Sequence, residues 1–383
     1  MSNRDDLAGV VFIIPSLGST NVEHFHHTLR LAQRLASRRP VAAVVERVKG
    51  APLELDLPAV WLKGGAIAKR LALAECLLEF RRRGFRHVYI RTSQAAAAVA
   101  SALRPLLGGA VLYWHCGITE PRPLRERLTR EVAKSELPFQ FALRASSALV
   151  TGTPSVADWY STRYRVRRNR IQVVPNDVDL STIPIRTADL RASARQRLGL
   201  ASRPKMALVV QRLSPVRRTL DYLPHLAAEA ANQGGWEIAV VGGGPDLGAA
   251  RTAASRNAFH GVVRFVGPVP SANVGDWYAA ADLFVLPSRA EGFPRVLIEA
   301  MAWSLPIVTT DAGGIRQVMP PWSSGVIAHR DCPSELSAAF AEVMMDDRVT
   351  QGQLYRKWVE RYDTPVAVES LDAILRRYDP ERD

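Results

Sequence analysis

The stretch SRAEGFPRVLIEAMAWSLPIV (288–308) holds two carboxylates with seven residues between them. Glu291 precedes Gly292, Phe293 and Pro294 in a Gly/Pro turn, while Glu299 lies inside an apolar helical run whose first turn accommodates Pro294. Glu291 thus rides on a loop able to wrap the reactive end of a ligand, and Glu299 occupies a more fixed point. Two carboxylates suit the acid/base work of glycoside hydrolysis or a grip on hydroxyl groups, and the spacing alone gives no separation with which to choose. A loop brace and a helix-face charge fit the same pattern. Upstream, VVQRLSPVRR (209–218) places Arg212 at a strand end and Arg217 five residues later. Guanidinium groups hold phosphate through paired hydrogen bonds, so two of them suit a diphosphate; an exposed arginine pair is the alternative. VVGGGPDLG (240–248), around Gly243, follows a strand and opens a helix, where backbone N–H groups approach anions. It departs from the G-x-G-x-x-G fingerprint, having Leu247 at the third glycine position.

These residues need elements that deliver loops to one edge. Short β-rich apolar runs alternate with longer helix-period segments, the pattern of βαβ units around parallel sheets. The first set of strands is expected at 10–14, 41–46, 87–92, 110–115, 148–152 and 171–175, with helices at 24–37, 67–83 and 94–107. A second set is expected at 206–212, 236–242, 262–267, 282–288, 307–311 and 325–329. A chain of 383 residues exceeds one ordinary core. The pattern therefore predicts an α/β protein of two Rossmann-like domains, 1–187 and 188–362, with a C-terminal helix in 363–383 that could pack on either domain and is expected to return to the first.

Apolar residues make up 47% of the chain, enough for such cores, and the net charge is +13. The basicity is lopsided: residues 1–180 carry 27 Lys and Arg against 15 Asp and Glu, and residues 181–383 carry 23 against 22. It gathers in RRRGFR (81–86), RPLRERLTR (122–130) and RYRVRRNR (163–170). Solvated helix faces and a surface for phosphate or acidic lipid headgroups fit these runs alike. Nucleic acid is disfavoured, since no recognition motif or aromatic-laced basic stripe accompanies them. Cys76, Cys116 and Cys332 have neither disulfide nor zinc spacing and suit a reducing cytoplasm. GVVFIIP (9–15) is too short to span a bilayer and reads as a strand. His24 and His27 of HFHH lack a third ligand, and DVD (177–179) resembles a metal motif but follows VVPN in what reads as an interdomain turn. No metal is expected.

Taken together, RAEGFPRVLIEAMAWSLPIVTTDAGGI, VVQRLSPVRR, VVGGGPDL, VVPNDVDLS, VLYWH and VVFIIPSLG resemble retaining glycosyltransferases of the GT-B fold, and are most similar to family 4, the glycogen-synthase-like and mannosyltransferase-like group with an E-x7-E region. The resemblance is strong over 206–330 and looser in the first half. It implies two domains facing across a cleft and closing on a nucleotide sugar. Glu291 would bind a donor hexose hydroxyl and Glu299 the ribose hydroxyls. Arg212 and Arg217 would hold the diphosphate, helped by backbone N–H groups of the 292–297 loop, whose Gly292, Phe293, Pro294 and Leu297 would line the donor site, with Gly243 also on the donor side. Gly18 would lie near the phosphates from the first domain, and His115 near the donor sugar and acceptor.

The resemblance implies a cytoplasmic, metal-independent hexosyltransferase that uses a UDP- or GDP-sugar as substrate and no cofactor. The expected acceptor is a glycan or lipid-linked glycan in polysaccharide synthesis, with the basic first half touching an acidic membrane surface. Alternatives are a small acceptor such as a natural product or sugar phosphate, a nucleotide-sugar 2-epimerase of similar fold, and a non-catalytic nucleotide-sugar-binding partner.

Overall fold

The apolar runs fold as strands of two parallel sheets. In the first, β1 (Gly9–Ile14), β2 (Val41–Val45), β3 (Ala59–Trp61), β4 (Phe85–Arg91), β5 (Val111–Trp114), β6 (Ala148–Thr151) and β7 (Ile171–Val173) pair in the order β3-β2-β1-β4-β5-β6-β7. In the second, β8 (Lys205–Val210), β9 (Trp236–Val241), β10 (Val263–Gly267), β11 (Leu283–Leu286), β12 (Ile307–Thr310) and β13 (Ile327–Ala328) run in the order β10-β9-β8-β11-β12-β13. Every residue of β1, β2, β5, β6, β11 and β12 is buried, as expected of strands covered on both faces. The computed structural model describes residues 7–19, 25–117, 130–345 and 349–379.

Both strand orders reverse direction of winding once, between β1 and β4 and between β8 and β11. At such a switch point the loops after neighbouring strands diverge to opposite faces, leaving a crevice at the carboxyl edge of the sheet. β3 has no counterpart among the expected strands. Its three residues are only half-buried at the sheet edge and show no alternation.

The chain divides into Met1–Pro175 with Thr364–Asp383, and Asn176–Asp363. The break at 175/176 replaces the one expected at 187/188, because the intervening segment is tied to the second unit. Val178 N–H donates to the Tyr362 carbonyl at 2.9 Å, Leu180 N–H to Asp363 Oδ1 at 3.0 Å, and Arg356 Nη2 to the Ile183 carbonyl at 2.9 Å.

The last helix, Thr364–Arg376, packs on the helix His26–Leu35 of the first unit. Arg39, fully buried, fastens it: Nε donates to Asp372 Oδ1 at 2.7 Å, Nη2 to Asp379 Oδ2 at 3.2 Å, and Nη1 to the Ala8 carbonyl at 3.0 Å. His87 joins from β4. Its Nδ1 accepts the Ala110 N–H at 3.0 Å, so the neutral ring carries its proton on Nε2 and donates it to Asp379 Oδ1 at 2.8 Å. Burial works to raise the Asp379 carboxyl, but the hydrogen bonds from His87 and Arg39 outweigh it and hold the group below the usual carboxylate range.

Candidate functional site

In the second unit the polar groups gather where β8 and β11 end, at the switch point. Ser288 follows β11, and the loop Arg289–Pro294 leads into the helix Arg295–Ala302. Glu291 in this loop is 6% exposed. Its Oε1 lies 2.9 Å from Arg217 Nε and accepts from Ser288 Oγ at 3.1 Å and Gln211 Nε2 at 3.4 Å, while Oε2 accepts from Arg217 Nη2 at 3.4 Å. The arginine therefore engages both oxygens. Gln211 is oriented by Thr219, whose hydroxyl donates to its Oε1 at 3.0 Å. The Arg289 N–H donates to the Arg217 carbonyl at 2.9 Å, joining the two loops through their backbones as well.

Arg212 is exposed and meets no carboxylate among the described residues. The crevice thus holds one arginine neutralised by Glu291 and one whose charge is available to an anion.

Glu299 is held by a separate set. Arg295 Nη2 lies 3.0 Å from its Oε1, and the Tyr278 hydroxyl donates to Oε2 at 3.0 Å. Burial, followed by the neighbouring Glu299, pushes the Tyr278 hydroxyl well above its ordinary pKa, keeping it a donor. Phe293 is buried edge-on against Tyr362 at 5.3 Å, and its carbonyl accepts from Asn176 Nδ2 at 2.8 Å. Gly292 and Pro294 are buried beside it. Leu297 is fully buried and its N–H is spent on the Pro294 carbonyl at 3.1 Å.

The glycine loop after β9 is laced to the loop after β8. Gln211 N–H donates to the Val241 carbonyl at 3.0 Å and Leu213 N–H to that of Gly243 at 2.9 Å. The backbone demand falls on Gly242 (φ 143°) and Gly244 (φ 139°), where an added Cβ would stand 1.9 Å from the Gln211 oxygen and 2.0 Å from that of Leu213. At Gly243 the nearest atoms are those of Pro268, from 3.5 Å.

The first unit carries its own strand-end groups. Gly18 follows β1 with φ 150°, and a Cβ there would stand 2.1 Å from the Lys49 carbonyl oxygen. The close approach lets Leu17 and Ser19 donate to the carbonyls of Arg47 and Ala51, each at 3.0 Å, so this glycine is required by loop packing alone. His115 follows β5 and is half-buried. Its Nδ1 contacts the hydroxyl of fully buried Tyr160 and accepts the Gly117 N–H at 3.3 Å. Burial among aromatic rings pushes the imidazole pKa down to about 4.

Of the basic runs, 122–129 lies outside the described residues, as does His24. In 163–170, Arg168 pairs with Asp158 at 3.0 Å, Arg163 lies over the Tyr164 ring, and Arg165 and Arg167 are exposed. In 81–86, Arg82 pairs with Glu79 at 3.1 Å. Asp179 of the DVD stretch accepts from the Ser181 N–H at 3.2 Å and caps a short turn. Among the described residues no group of three or more His, Cys, Asp or Glu is placed to hold a metal ion, and no helix is long and apolar enough to cross a membrane.

Residues 204–346, which include Arg212, Arg217, Glu291 and Glu299, match the family described as glycosyl transferases group 1. The second unit carries a group 1 glycosyltransferase domain. Among sequence relatives of the chain is the D-inositol 3-phosphate glycosyltransferase of Streptomyces avermitilis, 30% identical over 238 residues, which are 58% of this chain and 49% of the relative. The chain spans about half the length of the curated relatives it matches. Similar solved structures include Anabaena Alr3699/HepE in complex with UDP-glucose, with TM-score 0.76 and 16% identity over 97% of this chain and 100% of that one. The sucrose-phosphate synthase of Thermosynechococcus elongatus has TM-score 0.76 and 17% identity over 97% and 98%. The fold of the glycosyltransferase domain and its companion is GT-B, two Rossmann-like parallel-sheet units.

Proposed function

We propose that the chain transfers a hexose from a nucleoside diphosphate sugar to a hydroxyl of a small, phosphate-bearing acceptor, with retention at the anomeric carbon. The observation that carries this reading is the Arg217–Glu291 clasp beside the exposed Arg212 at the switch point of the glycosyltransferase domain. As the bond from the anomeric carbon to the diphosphate oxygen breaks, negative charge grows on the leaving group, and fixed cations stabilise it. Arg212 supplies that charge directly, and Arg217 joins it when Glu291 turns from the clasp to the sugar. The acceptor oxygen bonds to the anomeric carbon from the face the diphosphate is leaving, and its proton passes to the departing phosphate oxygen. Glu291 grips a sugar hydroxyl and Glu299 the ribose, so neither works as a nucleophile.

Between a uridine and a guanosine donor, support for uridine comes from the similar structure holding UDP-glucose. The relative named for inositol 3-phosphate favours a small phosphorylated acceptor over the lipid-linked glycan, and the excess positive charge of residues 1–180 suits a phosphate in either case. The cytoplasm, where nucleotide sugars are made, is the matching compartment.

The test is a transfer assay with UDP- and GDP-hexoses against inositol phosphates, hexose phosphates and a short-chain lipid diphosphate sugar, with the product's anomeric configuration read by NMR. Retained configuration on a soluble phosphate supports the proposal. Transfer only to the lipid-linked acceptor overturns the acceptor class, inversion overturns the mechanism, and isomerised donor without acceptor indicates an epimerase.

A further inference from the structure

The contacts around His115 say more than that a histidine follows β5. Its backbone is fixed, since its N–H donates to the Val150 carbonyl at 2.9 Å. Its ring lies among Phe139 at 4.9 Å, Tyr113 at 5.8 Å and Tyr160 at 6.0 Å, the last nearly perpendicular. Nδ1 faces the Tyr160 hydroxyl and the Gly117 N–H, whereas Nε2 has no hydrogen-bond partner among the described residues.

A backbone N–H is only ever a donor, so the Gly117 contact needs a lone pair on Nδ1. A neutral imidazole with that lone pair carries its proton on Nε2. The Tyr160 hydroxyl faces the same nitrogen; its single proton reaches the Gly117 carbonyl oxygen at 2.9 Å, and with Nδ1 unprotonated it can turn to that nitrogen instead. The opposite tautomer would set an Nδ1–H against the Gly117 N–H. The aromatic surround disfavours the doubly protonated ring, in keeping with the lowered pKa of His115.

Tyr160 is itself held rigidly. It lies on the helix Pro154–Tyr164, which Thr153 opens by accepting the Val156 N–H at 3.3 Å, and its ring packs on Trp159 and stacks with Tyr164. We propose that Tyr160 is a positioning residue which, with the Gly117 amide, locks His115 as the neutral Nε2–H tautomer, so that His115 meets substrate as a hydrogen-bond donor to a sugar oxygen and takes no proton from it. The substrate part of this statement rests on the glycosyl-transfer reading; the tautomer does not.

The test begins with selective ¹⁵N-histidine labelling of the whole chain at neutral pH, the His115 signals being assigned by their loss in His115→Gln. The expected wild-type spectrum shows protonated Nε2 and unprotonated Nδ1. Tyr160→Phe, which keeps the ring and removes only the hydroxyl, should give mixed tautomers at His115 alone and lower kcat/KM about tenfold, the loss of one neutral hydrogen bond in the site. His115→Gln places an N–H donor near the Nε2 position and should retain at least about tenfold more activity than His115→Ala, on the same ground.

A wild-type Nδ1–H signal overturns the tautomer, and an unchanged tautomer in Tyr160→Phe overturns the positioning role. Equal inactivity of the Gln and Ala variants overturns the donor role. Should Tyr160→Phe fail to fold, the wild-type spectrum still decides the tautomer and the Gln–Ala pair the donor role. The expected spectrum in a protein that transfers no sugar would instead refute the glycosyl-transfer reading and leave the lock standing.

Discussion

Replacing Glu291 by Gln separates a loop brace from a substrate contact. The amide oxygen can replace only one carboxylate oxygen, and the orientation that preserves most contacts keeps it at the Oε1 position, facing Arg217 Nε, Ser288 and Gln211. The amide nitrogen then opposes Arg217 Nη2, where donor meets donor. One charge-assisted bond is lost and another weakened, each class being worth about 1.5–3 kcal/mol in buried surroundings. Arg217 is 28% exposed, so water recovers part of this and the lower end applies. The expected destabilisation is about 1.5 kcal/mol, or roughly 3–6 °C in Tm for a unit of this size. Turnover should fall about 10²-fold or more, as when a transition-state hydrogen bond is removed. Urea unfolding, donor-dependent product formation and a thermal shift with the nucleoside diphosphate alone read the three quantities. A stability loss of the expected size with turnover within about threefold of wild type would refute the reasoning, because ordinary mutational scatter covers that range and Glu291 would then only brace its loop.

The glycine loop offers a contrast: Gly242→Ala and Gly244→Ala should each cost about 2 kcal/mol or more through strain, while Gly243→Ala should leave the urea midpoint unchanged and report on donor affinity alone. Asp379→Asn should lower stability at pH 7 by about 1.5 kcal/mol, the loss of a charge-assisted hydrogen bond at a part-buried site, since Arg39 keeps Asp372. Because the folded carboxyl titrates below its unfolded value near 3.9, its contribution is present above that pH and disappears as pH falls through the folded value; the gap between wild type and variant should close in acid, as pH-dependent denaturation would show. A thermal-shift panel should give stabilisation by UDP or GDP that Arg212→Ala weakens about tenfold in apparent Kd, since a charge-assisted phosphate contact is lost.

Much of the second unit was legible because strands covered on both faces read as unbroken apolar runs, and all six lie where expected. β3 was not, since three half-buried residues carry no period. The sequence puts the domain break late because 177–187 looks like polar linker, and only pairing with residues almost two hundred positions away reveals its allegiance. The site follows the same rule. Arg212, Arg217, Glu291 and Glu299 stand out by type and spacing. Gln211, Ser288 and Tyr278, which aim the carboxylates, are ordinary residues until the fold brings them within hydrogen-bond reach. Sequence alone does not distinguish Gly243 within its run of three glycines, and the unusual φ angles belong to its neighbours. Nothing around Tyr160 marked it, since its partner is 45 positions away.

The bond between Val178 and Tyr362 fastens the beginning of the second unit to its end, while the first unit resumes only at Thr364. Seen as architecture, Asn176–Asp363 is a cassette with clasped ends, inserted into a host that closes behind it. Its termini already meet, so a short peptide could join them and new ends could be opened in a surface loop without unpairing a strand. The second unit is therefore the portable part, suited to circular permutation or transplantation into another host.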